Sequence, residues 1–271
     1  MYFGEAVKIG VFDSGLGGLA IAQAIMNRLP QYDYLYLGDT KRVPYGGRSQ
    51  ETIHEFTSQA LNYLFEHDCQ LVILACNTAS SEALRKSQQE YLPQNYPDRR
   101  ILGVIIPTAE ACFEWDQALR VGVLATISTV ESKAYERELL RQSPRVEVFQ
   151  VGAPLLVPIV ENDGMKYIAP ILDDYLAPLL EAKVDRLVLG CTHYCLLKKE
   201  IRERVNVPVV SQDEVVPEKL ADYLVRHPEI EELLDRSGRR EYHVTDVTTG
   251  YERLAAELAG HPILLQKVSL V

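Results

Sequence analysis

The chain has 271 residues, 47% of them hydrophobic and 24% charged, with a formal net charge of −10. This is an ordinary globular composition, long enough for one large domain or two smaller ones. The acidic balance argues against a broad nucleic-acid footprint, which needs a basic face, and no apolar run reaches the roughly 18 residues of a membrane helix.

The N-terminal MYFGEAVKIGVFDSG lacks a basic segment followed by an apolar one, so no secretory leader is expected. Short apolar runs then alternate with helical stretches. Val7–Phe12 predicts a strand and Leu16–Leu29 a helix, followed by a strand at Tyr34–Leu37 and a helix at Gln50–Glu66. Strands are expected next at Leu71–Ala75, Ile101–Val104 and Val121–Leu124, then a helix at Thr129–Leu140. Further strands fall at Val146–Gln150, Val184–Leu189 and Val207–Val210. A helix at Glu214–Arg226, a polar stretch and a strand–helix–strand pattern close the chain. Such alternation implies parallel sheets covered by helices on both faces.

Two internal echoes recur at nearly one offset. Lys8-Ile9-Gly10-Val11-Phe12 resembles Arg120-Val121-Gly122-Val123-Leu124, and LVILACNTAS from Leu71 resembles LVLGCTHYCLL from Leu187. The expected architecture is therefore α/β: two similar parallel-sheet domains related by pseudo-twofold symmetry, with the active site in the cleft between them. The first domain is expected over residues 1–98 plus 212–271 and the second over 99–211. The proline-containing stretch Pro93–Arg100 is the expected crossing.

In the second echo Cys76 and Cys191 each follow an apolar strand and precede a helix start, where open α/β sheets place ligands. A free thiol has a pKa of ~8.5, so only about 3% is thiolate at pH 7. The partial positive charge of a helix N-terminus favours the thiolate, and a fall to ~7 ionises about half of it. Asn77 and Thr78 are placed to cap that helix or bind a carboxylate. Thr192 and His193 repeat the arrangement, and the imidazole can tune the thiol or donate to developing charge. Five cysteines, an odd and sparse set, point to free thiols in a reducing, cytoplasmic setting. A zinc reading of Cys191, His193 and Cys195 lacks the second ligand pair that structural zinc prefers.

Asp13-Ser14-Gly15-Leu16-Gly17-Gly18 follows the first strand. Gly15, Gly17 and Ala20 fit a dinucleotide fingerprint formally, but an acid at the strand tip would repel a pyrophosphate. The preferred reading is a glycine turn opening a helix whose N–H groups bind a carboxylate, with Asp13 pairing a substrate ammonium or moving a proton. Asp13 or Ser14 as a plain helix cap remains compatible with it. Val43-Pro44-Tyr45-Gly46-Gly47-Arg48 makes a rigid, close-approach loop.

Two matched thiols, with no cofactor motif beside them, suit removal of a proton from one face of a carbon and its return on the other. Fixed donors such as Asn77 and Thr192 around an α-carboxylate would stabilise the carbanion. At this point FDSGLGGL, YLGDTKRVPYGGRS, LVILACNTAS, GVLATISTV and LVLGCTHYCLL together resemble the glutamate racemases of the cofactor-independent aspartate/glutamate racemase superfamily. The motifs appear in family order from Val7 to about Asp213. The resemblance implies cofactor-free interconversion of L- and D-glutamate for peptidoglycan, usually by a homodimer; from composition and spacing, no metal, membrane or nucleic-acid partner is expected. It implies that Cys76 is the base for the D-isomer and Cys191 for the L-isomer, assisted by Asp13 and His193. Asp13-Ser14, Tyr45-Gly46, Asn77-Thr78 and Thr192-His193 match substrate-binding pairs. Glu161 resembles the glutamate that supports the histidine, and Thr126 and Thr129 resemble residues near the distal carboxylate.

The chain departs from the family pattern at Cys195, where Pro is usual, at Ala153, often Cys, and at Gly47, often Thr. The segment SQDEVVPEKL from Ser211 departs as well. No long N-terminal extension of the type used for regulation by a cell-wall precursor is expected. The other readings are a relative acting on aspartate or another acidic substrate, a dinucleotide-binding oxidoreductase, and a non-catalytic binding protein.

Overall fold

The computed structural model describes residues 7–114, 119–162 and 164–270; residues 1–6 of the N-terminal segment read above lie outside them. Among the described residues the strands are β1 Lys8–Asp13, β2 Tyr34–Gly38, β3 Cys69–Leu74, β4 Arg100–Gly103, β5 Arg120–Ala125, β6 Glu147–Gly152, β7 Arg186–Gly190, β8 Val209–Val210, β9 Arg240–Val244 and β10 Gln266–Lys267. They form two sheets, ordered β10-β9-β2-β1-β3-β4 and β6-β5-β7-β8, and every pairing is parallel.

The two sheets share a four-strand unit. β2-β1-β3-β4 in the first matches β6-β5-β7-β8 in the second, so β1 corresponds to β5 and β3 to β7. These are the strands that carry the sequence echoes. The chain thus forms two parallel-sheet α/β domains. Parallel strands buried on both faces need apolar side chains on both, and Leu71, Val72, Ile73 and Leu74 are all within 2% of complete burial.

The expected boundary at residue 99 is corrected by β4. Leu71 to Leu74 of β3 pair in register with Arg100 to Gly103, so this strand closes the first sheet. The proline-rich stretch before it is a connection inside the first half. The chain crosses only after Gly103, through the helix Ile105–Ala111. It returns through the helix Gln212–Arg226, which packs on the helix Gly18–Arg28, and β9 then joins beside β2.

The helix Gln50–Glu66 has its expected ends because Ser49 caps it, its hydroxyl accepting from Thr52 N at 3.3 Å. Ile53, Ala60, Leu61 and Leu64 face inward on it, and Leu61→Ala should cost about 2–5 kcal/mol. The single helix expected at Thr129–Leu140 is instead two, Ile127–Glu131 and Ala134–Gln142. Lys133, at φ 54°, breaks them apart. Among the described residues no helix is long and apolar enough to cross a membrane.

Candidate active site

The ends of β3 and β7 bring the two thiols to one place. Cys76 follows β3 by two residues and Cys191 follows β7 directly. Both line a cavity of about 200 Å³ between the halves. Ser14, Tyr45, Gly46, Asn77, Thr78, Thr126, Glu161, Thr192 and His193 line the same cavity. Asp13 and Thr129, both completely buried, stand behind this lining.

On the first-half side, Cys76 caps the helix Asn77–Glu82, its sulfur accepting from Ala79 N at 3.4 Å and donating to Ser14 Oγ at 3.3 Å. The expected near-neutral thiol is not found. Burial pushes Cys76 up to about 12, and the carboxyl of Asp13 adds to that; the hydrogen bonds with Ser14 and Ala79 pull the other way and lose. A six-residue helix offers too little positive end to offset desolvation of a fully buried sulfur.

Asp13 ends β1 and accepts from Gly15 N at 3.0 Å. Burial raises its pKa above the ordinary carboxylate value, against the pull of His193 and of the Gly18 and Gly15 N–H groups. The glycine-turn N–H groups expected to hold a ligand carboxylate are therefore taken by Asp13 itself. The glycines serve close packing. A Cβ on Gly18 would lie 2.5 Å from Asp13 Cβ, and one on Gly17 would lie 2.7 Å from both His193 Nδ1 and Thr192 Oγ1.

On the second-half side, His193 Nδ1 lies 3.8 Å from Cys191 Sγ and its Nε2 lies 2.9 Å from Glu161 Oε1. Burial alone would lower the imidazole pKa. Hydrogen bonds and charge from Cys191 and Glu161 outweigh burial and hold it well above the ordinary value. The protonated form of the imidazole is therefore favoured beside the Cys191 sulfur. Thr192 joins the sides, its hydroxyl donating to Asp13 Oδ1 at 3.4 Å.

Hydroxyls line another side of the cavity. Thr78 Oγ1 and Thr126 Oγ1 are 3.1 Å apart across the halves, and Thr126 Oγ1 donates to Thr129 Oγ1 at 3.0 Å. The loop Val43–Gly47 closes over them. Tyr45 Oη donates to Asp39 Oδ2 at 2.5 Å, and Gly46 O accepts from Ser128 N at 3.4 Å across the halves.

The loop carrying Val43 and Pro44 was singled out in the sequence, but the apolar wall it forms with Ile127, Pro154, Val157 and Pro158 was missed. The prolines of APLLVPIVE were the available signal. Sequence reasoning also missed Gln212 and Tyr135, which hold Asn77 from behind. Of the departures from the family pattern, Gly47 and Ala153 line the cavity. Cys195 turns away, its sulfur accepting from Ser211 Oγ at 3.4 Å, and burial pushes its thiol up to about 12.

Fold and site define a two-domain α/β protein with a pair of thiols in its cleft. The family described as Asp/Glu/Hydantoin racemase matches residues 19–216. The chain is 36% identical to the glutamate racemase of Exiguobacterium sibiricum, across 97% of this chain and 96% of that one. It is 38% identical to that of Neisseria gonorrhoeae, across 98% of each. Among solved structures, a glutamate racemase isoform of Bacillus anthracis superposes with a TM-score of 0.88 at 29% identity, covering 98% of both chains. The enzyme of Francisella tularensis in complex with D-glutamate gives 0.86 at 28% identity, again covering 98% of both. The chain belongs to the Asp/Glu/Hydantoin racemase family.

Proposed function

We propose that this protein interconverts L- and D-glutamate with its own side chains, using Cys76 and Cys191 as the two proton-transfer groups. The observation that carries the reading is that two thiols from corresponding strands line one cavity, each beside a different titratable partner. Relatives named glutamate racemase across nearly the whole length support glutamate over aspartate.

In the L-to-D direction, the Cys191 thiolate takes the α-proton and the electron pair stays on the α-carbon, delocalised into the α-carboxylate. Cys76, held as a thiol, gives its proton to the opposite face. Cys191 is left as thiol and Cys76 as thiolate, which is the state ready for the D-isomer. His193, steadied by Glu161, supplies positive charge next to Cys191. Asp13 lies behind Cys76, and the substrate ammonium brings to that side the cation it otherwise lacks. Asn77, Thr78, Thr192 and Ser14 offer donors to the carboxylates, whose charge grows at the transition state. Tyr45-Gly46 closes the loop side, and Thr126, held from behind by Thr129, faces the distal carboxylate. A dry cleft strengthens all of these contacts.

The reading extends to a cytoplasmic homodimer that supplies D-glutamate for peptidoglycan. The test is circular dichroism of L- and D-glutamate incubated with purified protein free of pyridoxal phosphate. Both enantiomers are expected to decay to zero ellipticity. Cys76→Ser and Cys191→Ser are each expected to abolish that decay, and full turnover by either variant would overturn the scheme.

A further inference from the structure

A buried hydrogen-bonded ring joins Asn77 to two residues behind the cavity lining. Asn77 Nδ2 donates to Gln212 Oε1 at 2.8 Å, and Gln212 Nε2 donates back to Asn77 Oδ1 at 2.6 Å. Gln212 Nε2 also donates to Tyr135 Oη at 2.9 Å, and Tyr135 Oη donates to Asn77 Oδ1 at 2.8 Å. All three side chains are within 2% of complete burial.

Each comes from a different part of the fold. Asn77 opens the helix behind Cys76, Tyr135 belongs to the second-half helix Ala134–Gln142, and Gln212 opens the helix that leads the chain back to the first half. Two amides and a phenol carry five polar hydrogens. The ring uses four of them. The fifth is the second Nδ2–H of Asn77, and Asn77 lines the cavity. Both acceptor positions of Asn77 Oδ1 are filled. Turning the Asn77 amide alone would set its NH2 against the Gln212 NH2. Only a concerted turn of both amides keeps the ring closed, and that turn presents an oxygen to the cavity, which a bound carboxylate opposes.

We infer that Gln212 is a positioning residue that holds the Asn77 amide with its spare N–H toward the substrate's α-carboxylate. This rests on the proposed amino-acid substrate. Because both enantiomers place that carboxylate alike, the effect falls on binding in both directions.

Gln212→Glu keeps the shape and removes both donors; Gln212→Met removes all polarity. KM for L- and for D-glutamate is expected to rise about tenfold in Gln212→Glu, with kcat falling up to about tenfold beside it, because the same contact strengthens as the carboxylate gains charge. The rise should shrink as pH falls and the new carboxyl gains a proton. In Gln212→Met, KM should rise about tenfold without that pH dependence. The ring is also read without substrate, through the 15N resonance and solvent exchange of the Asn77 side-chain amide. Exchange there should quicken in Gln212→Met. Unchanged exchange in that variant overturns the inference whatever the substrate is. So does a loss of kcat at constant KM in Gln212→Glu. A wild-type protein inert to glutamate would sink the proposed function, while the amide exchange would still decide the ring.

Discussion

The two halves build the same four-strand unit, and each puts a thiol at the end of its third strand, but they surround that thiol differently. In the first half the end of β1 is Asp13, a buried acid behind Cys76. In the second half the corresponding strand β5 ends in Ala125, and the charge comes from His193 two residues past the thiol, paired with Glu161 on the helix Leu156–Glu161. One thiol therefore sits near a carboxyl, the other beside an imidazole whose pKa is raised. The shared four-strand unit sets the positions of the sulfurs, and the residues around them make their environments opposite. Opposite environments suit a pair in which one member holds its proton while the other takes one.

The largest expected effect breaks the pair itself. Cys76→Ser and Cys191→Ser should each lower racemisation at least 10³-fold, equivalent to about 4 kcal/mol of barrier. The halves can then be read separately in D2O. Cys76→Ser keeps Cys191 and should still exchange the α-hydrogen of L-glutamate while leaving D-glutamate untouched; Cys191→Ser should do the reverse. Exchange of both enantiomers by either variant would mean that one sulfur serves both faces.

Removing the partners should cost less. Asp13→Asn and His193→Asn are each expected to lower kcat/KM about 10²-fold. Enantiomers have equal free energy, so kcat/KM must fall equally in both directions for any variant. The asymmetry between the halves can appear only in kcat and KM taken apart. His193→Asn should depress kcat more for the L-isomer, and Asp13→Asn more for the D-isomer. Progress curves from each pure enantiomer would measure this, and identical kcat losses would remove the assignment of each partner to its own thiol.

Glu161 gives a pH test of the second half alone. The His193 pKa is raised in the fold, through Cys191 and Glu161 and against burial. A raised value contributes stability that is complete below the unfolded pKa of about 6.5 and is lost as pH rises through the folded value. Glu161→Gln should therefore lower Tm by about 3 °C at pH 6, with the loss shrinking at alkaline pH. A pH-independent loss would show that packing, and not the ion pair, holds Glu161 in place.

Much of this contrast was legible in the sequence. The strands fell near their observed places because parallel strands buried on both faces must be continuous apolar runs. The cysteine contexts marked the site because ligands collect at strand ends. The rest depended on tertiary distance. Leu71–Leu74 gives no sign that its neighbour is Arg100–Gly103, so the domain boundary was misplaced. The glycine turn was read as a carboxylate cradle, although Asp13 takes the N–H groups of Gly15 and Gly18 and His193 needs the space beside Gly17. The helix start beside Cys76 suggested an acidic thiol, but desolvation, which only burial reveals, is the larger effect there. Gln212 lies far from Asn77 in the chain, and no spacing rule connects them.

The smallest expected effect concerns the break between Ile127–Glu131 and Ala134–Gln142. Ser132-Lys133-Ala134 holds no glycine, and the segment reads as one helix, yet Lys133 takes a left-handed backbone at φ 54°. Thr126 explains why the first piece is tied down: its hydroxyl accepts from Thr129 N at 3.3 Å while lying 3.1 Å from Thr78 of the other half. The turn at Lys133 lets the second piece carry Tyr135 inward to Asn77. A left-handed lysine costs about 1–2 kcal/mol, and glycine there removes that cost while adding unfolded-state entropy of about 0.4–1 kcal/mol. Lys133→Gly should thus raise stability by about 0.5 kcal/mol, or roughly 1–2 °C in Tm. A clear fall instead would mean that the lysine side chain, and not the turn alone, holds the two helices at this angle.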